Sequence, residues 1–135
     1  MIPVFVDSNI LIDVVDPRSP WRRWSERRIA DIACSHSLVI NPVVFGEISV
    51  NLAAIEDVYD FLGDSFRVED IPLDAAFAAG KAFYRYRRRG GARHAILPDF
   101  LIGAHAAVAG YRLLTRDAKR FRSYFPRLEL IAPTS

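Results

Sequence analysis

Cysteine is nearly absent from this sequence of 135 residues, which contains only Cys34. A single thiol can neither form an internal disulfide nor build a zinc ribbon, so we expect a reducing, cytoplasmic setting and a small, buried Cys34 side chain. Long hydrophobic runs are also absent, since none approaches the roughly 18–20 residues that cross a bilayer. The N-terminal segment MIPVFVD has neither the basic start nor the cleavage site of a secretory signal. These absences predict a cytoplasmic protein without a membrane-spanning segment.

Glycine is scarce as well, and the seven glycines form no G-x-G-x-x-G motif. A nucleotide-binding fold of the Rossmann type is therefore excluded. The composition that remains is that of an ordinary globular protein, with 51% hydrophobic and 25% charged residues, over a length typical of one domain. We expect residues 1–135 to form a single domain.

The net charge of +2 conceals a strong segregation of charge along the chain. Residues 44–74 contain eight acids and one base, whereas residues 75–135 contain twelve bases and three acids. A basic half beside isolated acids is what a metal-using enzyme that acts on a polyanion needs. The alternative is a solvated surface with uneven charge, and composition alone does not decide between the two.

Short apolar runs alternate along the chain with amphipathic or alanine-rich segments. The runs predict buried strands, and the longer segments predict helices. The predicted strands are 2–6, 38–40, 66–71, 112–115 and 128–132, and the predicted helices are 10–15, 21–34, 43–54 continuing over 56–62, 75–89, 100–109 and 117–124. Strands that alternate with helices pair in parallel. The sequence therefore predicts an α/β fold, a three-layer α/β/α sandwich with a central parallel sheet of about five strands.

Four acidic residues fall at one edge of this predicted sheet. Asp7 ends the first strand and Asp117 follows the fourth, while Glu47 and Asp99 lie at or near the start of helices. In an open parallel sheet, ligands bind beyond the carboxyl ends of the strands. Four carboxylates repel one another there unless cations lie between them, and carboxylate oxygens suit Mg²⁺ or Mn²⁺ rather than zinc. The set predicts in-line hydrolysis of a phosphodiester, with metal ions to activate water and stabilise the leaving oxygen.

Each acid also has an ordinary structural explanation. Asp7 and Asp117 are of a residue type that caps helices, and Glu47 is compatible with a solvent-facing position. Asp99 is harder to explain in this way, because it opens a helix apolar enough to be buried, and a buried carboxylate needs a partner. The four acids together favour a site over four unrelated structural roles.

Several segments carry a resemblance to a known family: FVDSNILIDV at residues 5–14, FGEI at 45–48, LPDFLIGAHAAVAGYRLLTRDAKRF at 97–121 and LELIAP at 128–133. Together they resemble a PIN domain of the VapC-like toxin type, over nearly the whole chain and least over residues 57–93. The resemblance implies an endoribonuclease that uses Mg²⁺ or Mn²⁺ held by Asp7, Glu47, Asp99 and Asp117. It also implies that Thr115 forms a hydrogen bond near the metal ion's water. The implied partners are RNA, a cognate antitoxin that blocks the site, and a second copy in a homodimer.

A basic stretch, YRYRRRGGARH at residues 84–94, interleaves tyrosines with arginines ahead of Asp99. Together with Arg116, four of its arginines are candidates to bind the RNA backbone: Arg85, Arg87, Arg88 and Arg89. The alternatives are a solvated helix end, where cations suit the helix dipole, and an Arg116 side chain that points to water. His105 is expected to pack in the core or at an interface.

Four aromatic residues are candidates to anchor the antitoxin: Trp21, Trp24, Phe45 and Phe61. Core packing is the ordinary alternative for each of them.

Two functions of other classes compete with this interpretation. A phospho-receiver domain needs adjacent acids after the first strand and a lysine after the fifth, whereas only Asp7 follows the first strand here and the lysines are Lys81 and Lys119. A catalytically silent PIN-like domain that binds RNA or acts as a scaffold stays open, because four acids can bind metal without turnover. A metal-titrated RNA cleavage assay separates this second alternative from the nuclease.

Overall fold

The computed structural model describes residues 1–91 and 96–134 and has the predicted parallel sheet. The strands within these residues are β1 (Val4–Val6), β2 (Leu38–Ile40), β3 (Phe66–Val68), β4 (Arg112–Leu114) and β5 (Leu130–Ile131). Their order across the sheet is β3-β2-β1-β4-β5, and every neighbouring pair runs parallel. The expected α/β fold with a central parallel sheet of five strands is confirmed.

Helices flank the sheet and connect its strands. They are α1 (Ser8–Val15), α2 (Arg22–Ala33), α3 (Pro42–Ser49), α4 (Ile55–Leu62), α5 (Leu73–Arg88), α6 (Leu97–Ala109) and α7 (Ala118–Tyr124). Asp7 and Asn41 begin α1 and α3 by accepting hydrogen bonds from the first backbone N–H groups, and Gly110 ends α6 with a φ of 77°. None of the helices described here is long and apolar enough to cross a membrane.

Two expectations about local structure are wrong. The continuous helix expected from residue 43 to residue 62 is instead two helices, α3 and α4. A new helix begins at Ile55 because Oδ2 of Asp57 accepts a hydrogen bond from the backbone N–H of Ala54 at 3.0 Å. Cys34 is exposed rather than buried, since it lies at the C-terminal end of α2, beside other exposed residues.

The central strand β1 forms the middle of the hydrophobic core. Val4, Phe5 and Val6 are all fully buried, as is typical of a parallel strand that is covered on both faces. Helix α6 packs on this core and also joins a second, aromatic cluster with α5 and α7, in which the Phe100 and Tyr124 rings stack with centroids 4.1 Å apart. This packing fixes the first turn of α6, which carries Asp99.

Candidate active site

Asp7 lies directly after β1 at the carboxyl end of the sheet. Its Oδ1 accepts a hydrogen bond from the backbone N–H of Ser8 at 2.8 Å, and its Oδ2 accepts one from the hydroxyl of Thr115, also at 2.8 Å. Burial raises the pKa of Asp7 to about 7, and the charges of Asp99 and Glu47 add to that rise while the two hydrogen bonds oppose it. Asp7 is therefore both a helix cap and a buried carboxyl group that faces other acids.

Thr115 organises the turn that follows β4. Besides donating to Asp7, its fully buried hydroxyl oxygen accepts hydrogen bonds from the backbone N–H of Asp117 at 3.0 Å and from Nδ2 of Asn9 at 3.4 Å. The side chain thus fixes Asp7 and Asp117 relative to each other. Its expected hydrogen bond near a metal-bound water stays a prediction, and the observed contacts make it a positioning residue.

Glu47 lies on α3 and is partly buried. The hydroxyl of Ser8 donates a 2.9 Å hydrogen bond to Oε1 of Glu47. Burial raises the pKa of Glu47, and the charge of Asp99 adds to the rise. Ser8, which the sequence indicated only as a capping and orienting residue, therefore connects Asp7 to Glu47.

Two buried polar side chains tie together the helices that carry Glu47 and Asp99. Asn41 accepts a hydrogen bond from the backbone N–H of Val44 at 3.1 Å, and its Nδ2 lies 3.2 Å from Nδ1 of His105 on α6. His105 is fully buried, as expected of a core histidine, and burial lowers its pKa. This link between α3 and α6 was not predicted, because the sequence separates its two ends by 64 residues.

Asp99 and Asp117 are joined by the guanidinium group of Arg120 on α7. Nη1 of Arg120 lies 3.2 Å from Oδ2 of Asp99, and Nη2 lies 2.9 Å from Oδ2 of Asp117. Burial raises the pKa of Asp99, the arginine opposes that rise and the Asp117 carboxylate adds to it. Arg120 was not among the predicted site residues, although residues three apart on a helix share a face.

The four carboxylates influence one another across four separate elements. The charge of Asp99 raises the pKa of both Asp7 and Glu47, and the charge of Asp117 raises the pKa of Asp99. Within residues 1–91 and 96–134, no group of three or more His, Cys, Asp or Glu side chains forms a ready-made metal site. The donors nevertheless fit Mg²⁺ or Mn²⁺ in kind, because they are all carboxylate oxygens and Mg²⁺ keeps several waters while binding through one or two carboxylates.

Arg116 makes contacts that the sequence did not indicate. Its Nε and Nη2 donate to the two carboxylate oxygens of the buried Asp13 at 2.5 and 3.0 Å, and the hydroxyls of Ser19 and Ser25 donate to the same carboxylate. Its guanidinium also lies over the Trp21 ring, 5.6 Å from the centroid. Arg116 thereby holds the turn after β4 against α1 and α2, and its expected contact with phosphate stays a prediction.

The basic stretch forms the exposed end of α5. The predicted arginines Arg85, Arg87 and Arg88 occupy the last turn of the helix, and Arg89 ends it. The Tyr86 ring lies 5.9 Å from the ring of Phe100, so this end of α5 lies beside the first turn of α6 and Asp99. Residues 92–94, the end of the predicted stretch, lie outside the described residues. The expected contact of these arginines with RNA stays a prediction.

The sequence and the fold both match known proteins. The sequence model of the PIN domain family matches residues 4–124, a span that includes all four acids. No curated protein gives a significant sequence match.

Several solved structures share the fold. A chain of VapBC2 from Rickettsia felis, bound to a DNA fragment from its promoter, has a TM-score of 0.75 and 19% identity, with 98% of each chain covered. A toxin–antitoxin complex from Klebsiella pneumoniae gives a TM-score of 0.71 and 22% identity, again with 98% of each chain covered. VapC20 from Mycobacterium tuberculosis, described as a toxin that cleaves the sarcin–ricin loop, gives 0.61 and 16%, covering 81% of this chain and 85% of the other.

Proposed function

The chain belongs to the PIN domain family, and on that premise we propose that it is an Mg²⁺- or Mn²⁺-dependent endoribonuclease of the VapC-like toxin type. The observation that carries the proposal is the convergence of Asp7, Glu47, Asp99 and Asp117, which come from four separate elements and whose charges influence one another. Carboxylates held close enough to repel one another and raise one another's pKa are typical of a site that binds a cation.

The four acids would hold the metal ions, and side chains around Asp7, Glu47 and Asp117 help to position these three. When bound, divalent ions at such a site activate water and stabilise the leaving oxygen of a phosphodiester. Thr115 and Ser8 orient the carboxylates of Asp7 and Glu47 through hydrogen bonds of 2.8 and 2.9 Å. Arg116 holds the turn that carries Asp117 by its ion pair with Asp13. These contacts fix the directions of the carboxylates before substrate binds, which is what preorganised catalysis requires.

RNA is the proposed substrate. The structural relative VapC20 is described as cleaving the sarcin–ricin loop, which is RNA. The exposed arginines at the end of α5 provide positive charge on a helix whose Tyr86 ring meets Phe100, the residue after Asp99. An RNA substrate also agrees with action in the cytoplasm.

A cognate antitoxin is the proposed regulatory partner, because similar chains occur in toxin–antitoxin complexes. Apolar side chains suitable for such a partner are exposed on α4, where Ile55 and Tyr59 lie one turn apart, and at Trp21 before α2. Trp24, Phe45 and Phe61 are partly buried and packed against the core, and the Phe45 ring also meets the Tyr59 ring with centroids 5.9 Å apart. We propose that the antitoxin docks on this surface, and that the active species is a homodimer.

Cleavage of labelled RNA by the purified protein tests the proposed activity. The wild-type protein should cleave with added Mg²⁺ or Mn²⁺ and stop when EDTA is added. Asp99→Asn should cleave more than about 100-fold more slowly, whereas Asp60→Asn, which changes an exposed acid on α4, should cleave at the wild-type rate. Cleavage that needs no metal, or equal rates for the two variants, would contradict the proposal. Binding of RNA and metal without any product would instead favour the catalytically silent alternative.

A further inference from the structure

Arg120 occupies an unusual place among the acids of the site. Its two terminal nitrogens bind different carboxylates, that of Asp99 at the start of α6 and that of Asp117 at the start of α7, at 3.2 and 2.9 Å. The charge of Arg120 also reaches a third acid, because it opposes the rise in the pKa of Glu47. A single positive charge thus compensates part of the repulsion among three of the four acids.

The contact is open on its outer side. The Arg120 side chain is 42% exposed, whereas that of Asp99 is 13% exposed. Ion pairs with this degree of exposure are weak, because water solvates the arginine almost as well after the pair breaks. The guanidinium can therefore leave the two carboxylates by rotation of its own side chain, without movement of α6 or α7.

A divalent ion and the guanidinium need the same oxygens. The oxygens that Arg120 binds are Oδ2 of Asp99 and Oδ2 of Asp117, and each gives up lone-pair capacity to the arginine. Two cations next to each other also repel, so binding of the metal ion is weakened while the guanidinium stays.

We infer that Arg120 is a built-in counter-cation that competes with the divalent metal ion for Asp99 and Asp117 and so lowers the metal affinity of the site. The inference rests on the proposed function, because it takes these acids as metal ligands. Its consequence is a site that keeps its acids together without metal and fills only at a higher metal concentration than the acids alone would require. If Arg120 only held the acids in place, its loss would disorder them and weaken metal binding instead of strengthening it.

The dissociation constant of Mn²⁺, measured by calorimetry at pH 8 without RNA, tests the inference. Arg120→Met should tighten Mn²⁺ binding about tenfold, an estimate that follows from the loss of two weak competing ion pairs. Arg120→Lys keeps the charge but cannot bind two carboxylates in the same forked geometry. Its Mn²⁺ dissociation constant should lie between those of Arg120→Met and the wild type. Arg122→Met is the matched control, because it removes the same charge from an exposed position on the same helix and should change the constant little.

The outcomes separate this inference from the proposed function. Weaker or unchanged Mn²⁺ binding by Arg120→Met, or equal tightening by Arg122→Met, would overturn the inference while leaving metal-dependent cleavage intact. Failure of the wild type and of Arg120→Met to bind Mn²⁺ at all would overturn both. Thermal unfolding without metal confirms that each variant is folded before its titration is interpreted.

Discussion

The hydroxyl of Thr115 donates a 2.8 Å hydrogen bond to Oδ2 of Asp7, and this contact joins the ends of β4 and β1 across 108 residues of sequence. The two strands are neighbours in the sheet, with Val6 in register with Leu114. The residue after each strand therefore arrives at the same point of the sheet edge. The same hydroxyl also receives the N–H of Asp117, so one small side chain positions two of the four acids.

Thr115→Val tests this positioning role. The substitution keeps the shape of the side chain but leaves the buried Oδ2 of Asp7 without its donor and the N–H of Asp117 without its acceptor. We expect a loss of about 1–3 kcal/mol in the free energy of unfolding, measured by urea denaturation in EDTA. Thr115→Ser keeps the hydroxyl and should lose only about 1 kcal/mol from the missing methyl group. Full stability of Thr115→Val would show that the hydrogen bonds contribute nothing.

The raised pKa of Asp7 predicts how stability depends on pH. Because the folded-state pKa of about 7 lies above the ordinary value of 3.8, the folded state binds the proton more tightly than the unfolded state does. The contribution of the Asp7 carboxyl group to the free energy of unfolding is complete below about pH 4 and is lost as the pH rises through 7. Between pH 5 and 7, Asp7 should cost the metal-free protein about 2 kcal/mol.

Comparison with Asp7→Asn isolates this contribution from those of the other acids. The free energy of unfolding of Asp7→Asn should fall less steeply between pH 5 and 7 than that of the wild type. The slope is the readout, because the amide also changes the hydrogen bond with Thr115. Parallel profiles for the two proteins would show that Asp7 does not titrate in this range.

Much of this arrangement follows from sequence pattern, and its limits are physical. The apolar runs place Asp7 and Thr115 after β1 and β4, and the parallel sheet then brings their ends to one edge. The Arg120 contacts depend on how α7 is rotated about its axis relative to the first turn of α6. The local sequence of either helix does not determine this rotation. The Asp13–Arg116 pair was missed for a similar reason, because 103 residues separate its ends. The pattern of α1 showed an apolar helix and gave no signal that Asp13 is buried.

Arg116→Met tests whether this arginine is a structural residue. The change leaves the buried Asp13 carboxylate without its forked partner, although Ser19 and Ser25 still donate to it. Since the Arg116 side chain is 29% exposed, we expect a loss of about 2 kcal/mol, below the range for fully buried pairs. Arg22→Met, which breaks an exposed pair with Glu26, should cost less than about 1 kcal/mol in the same denaturation experiment. Similar losses in the free energy of unfolding for Arg116→Met and Arg22→Met would show that Arg116 has no special structural role.

Replacing Arg87 and Arg88 by glutamine tests whether the end of α5 binds RNA. If both contact phosphates, the slope of log affinity against log salt should decrease by about 1.4 for single-stranded RNA, because each lost contact contributes about 0.7. The matched control is Arg23→Gln with Arg27→Gln, which removes two exposed arginines from α2. An unchanged slope for the variant with Arg87 and Arg88 replaced would show that these residues do not contact RNA and are only a solvated helix end.

The proposed function requires that Asp7, Glu47, Asp99 and Asp117 form one metal site. Its most direct test is the Mn²⁺ dissociation constant, measured at pH 8 for Asp7→Asn, Glu47→Gln, Asp99→Asn and Asp117→Asn beside the exposed-site control Asp60→Asn. We expect each of the four changes to weaken Mn²⁺ binding by about tenfold or more, while the control binds as the wild type does. Four variants that all bind Mn²⁺ as tightly as Asp60→Asn would contradict the proposed metal site.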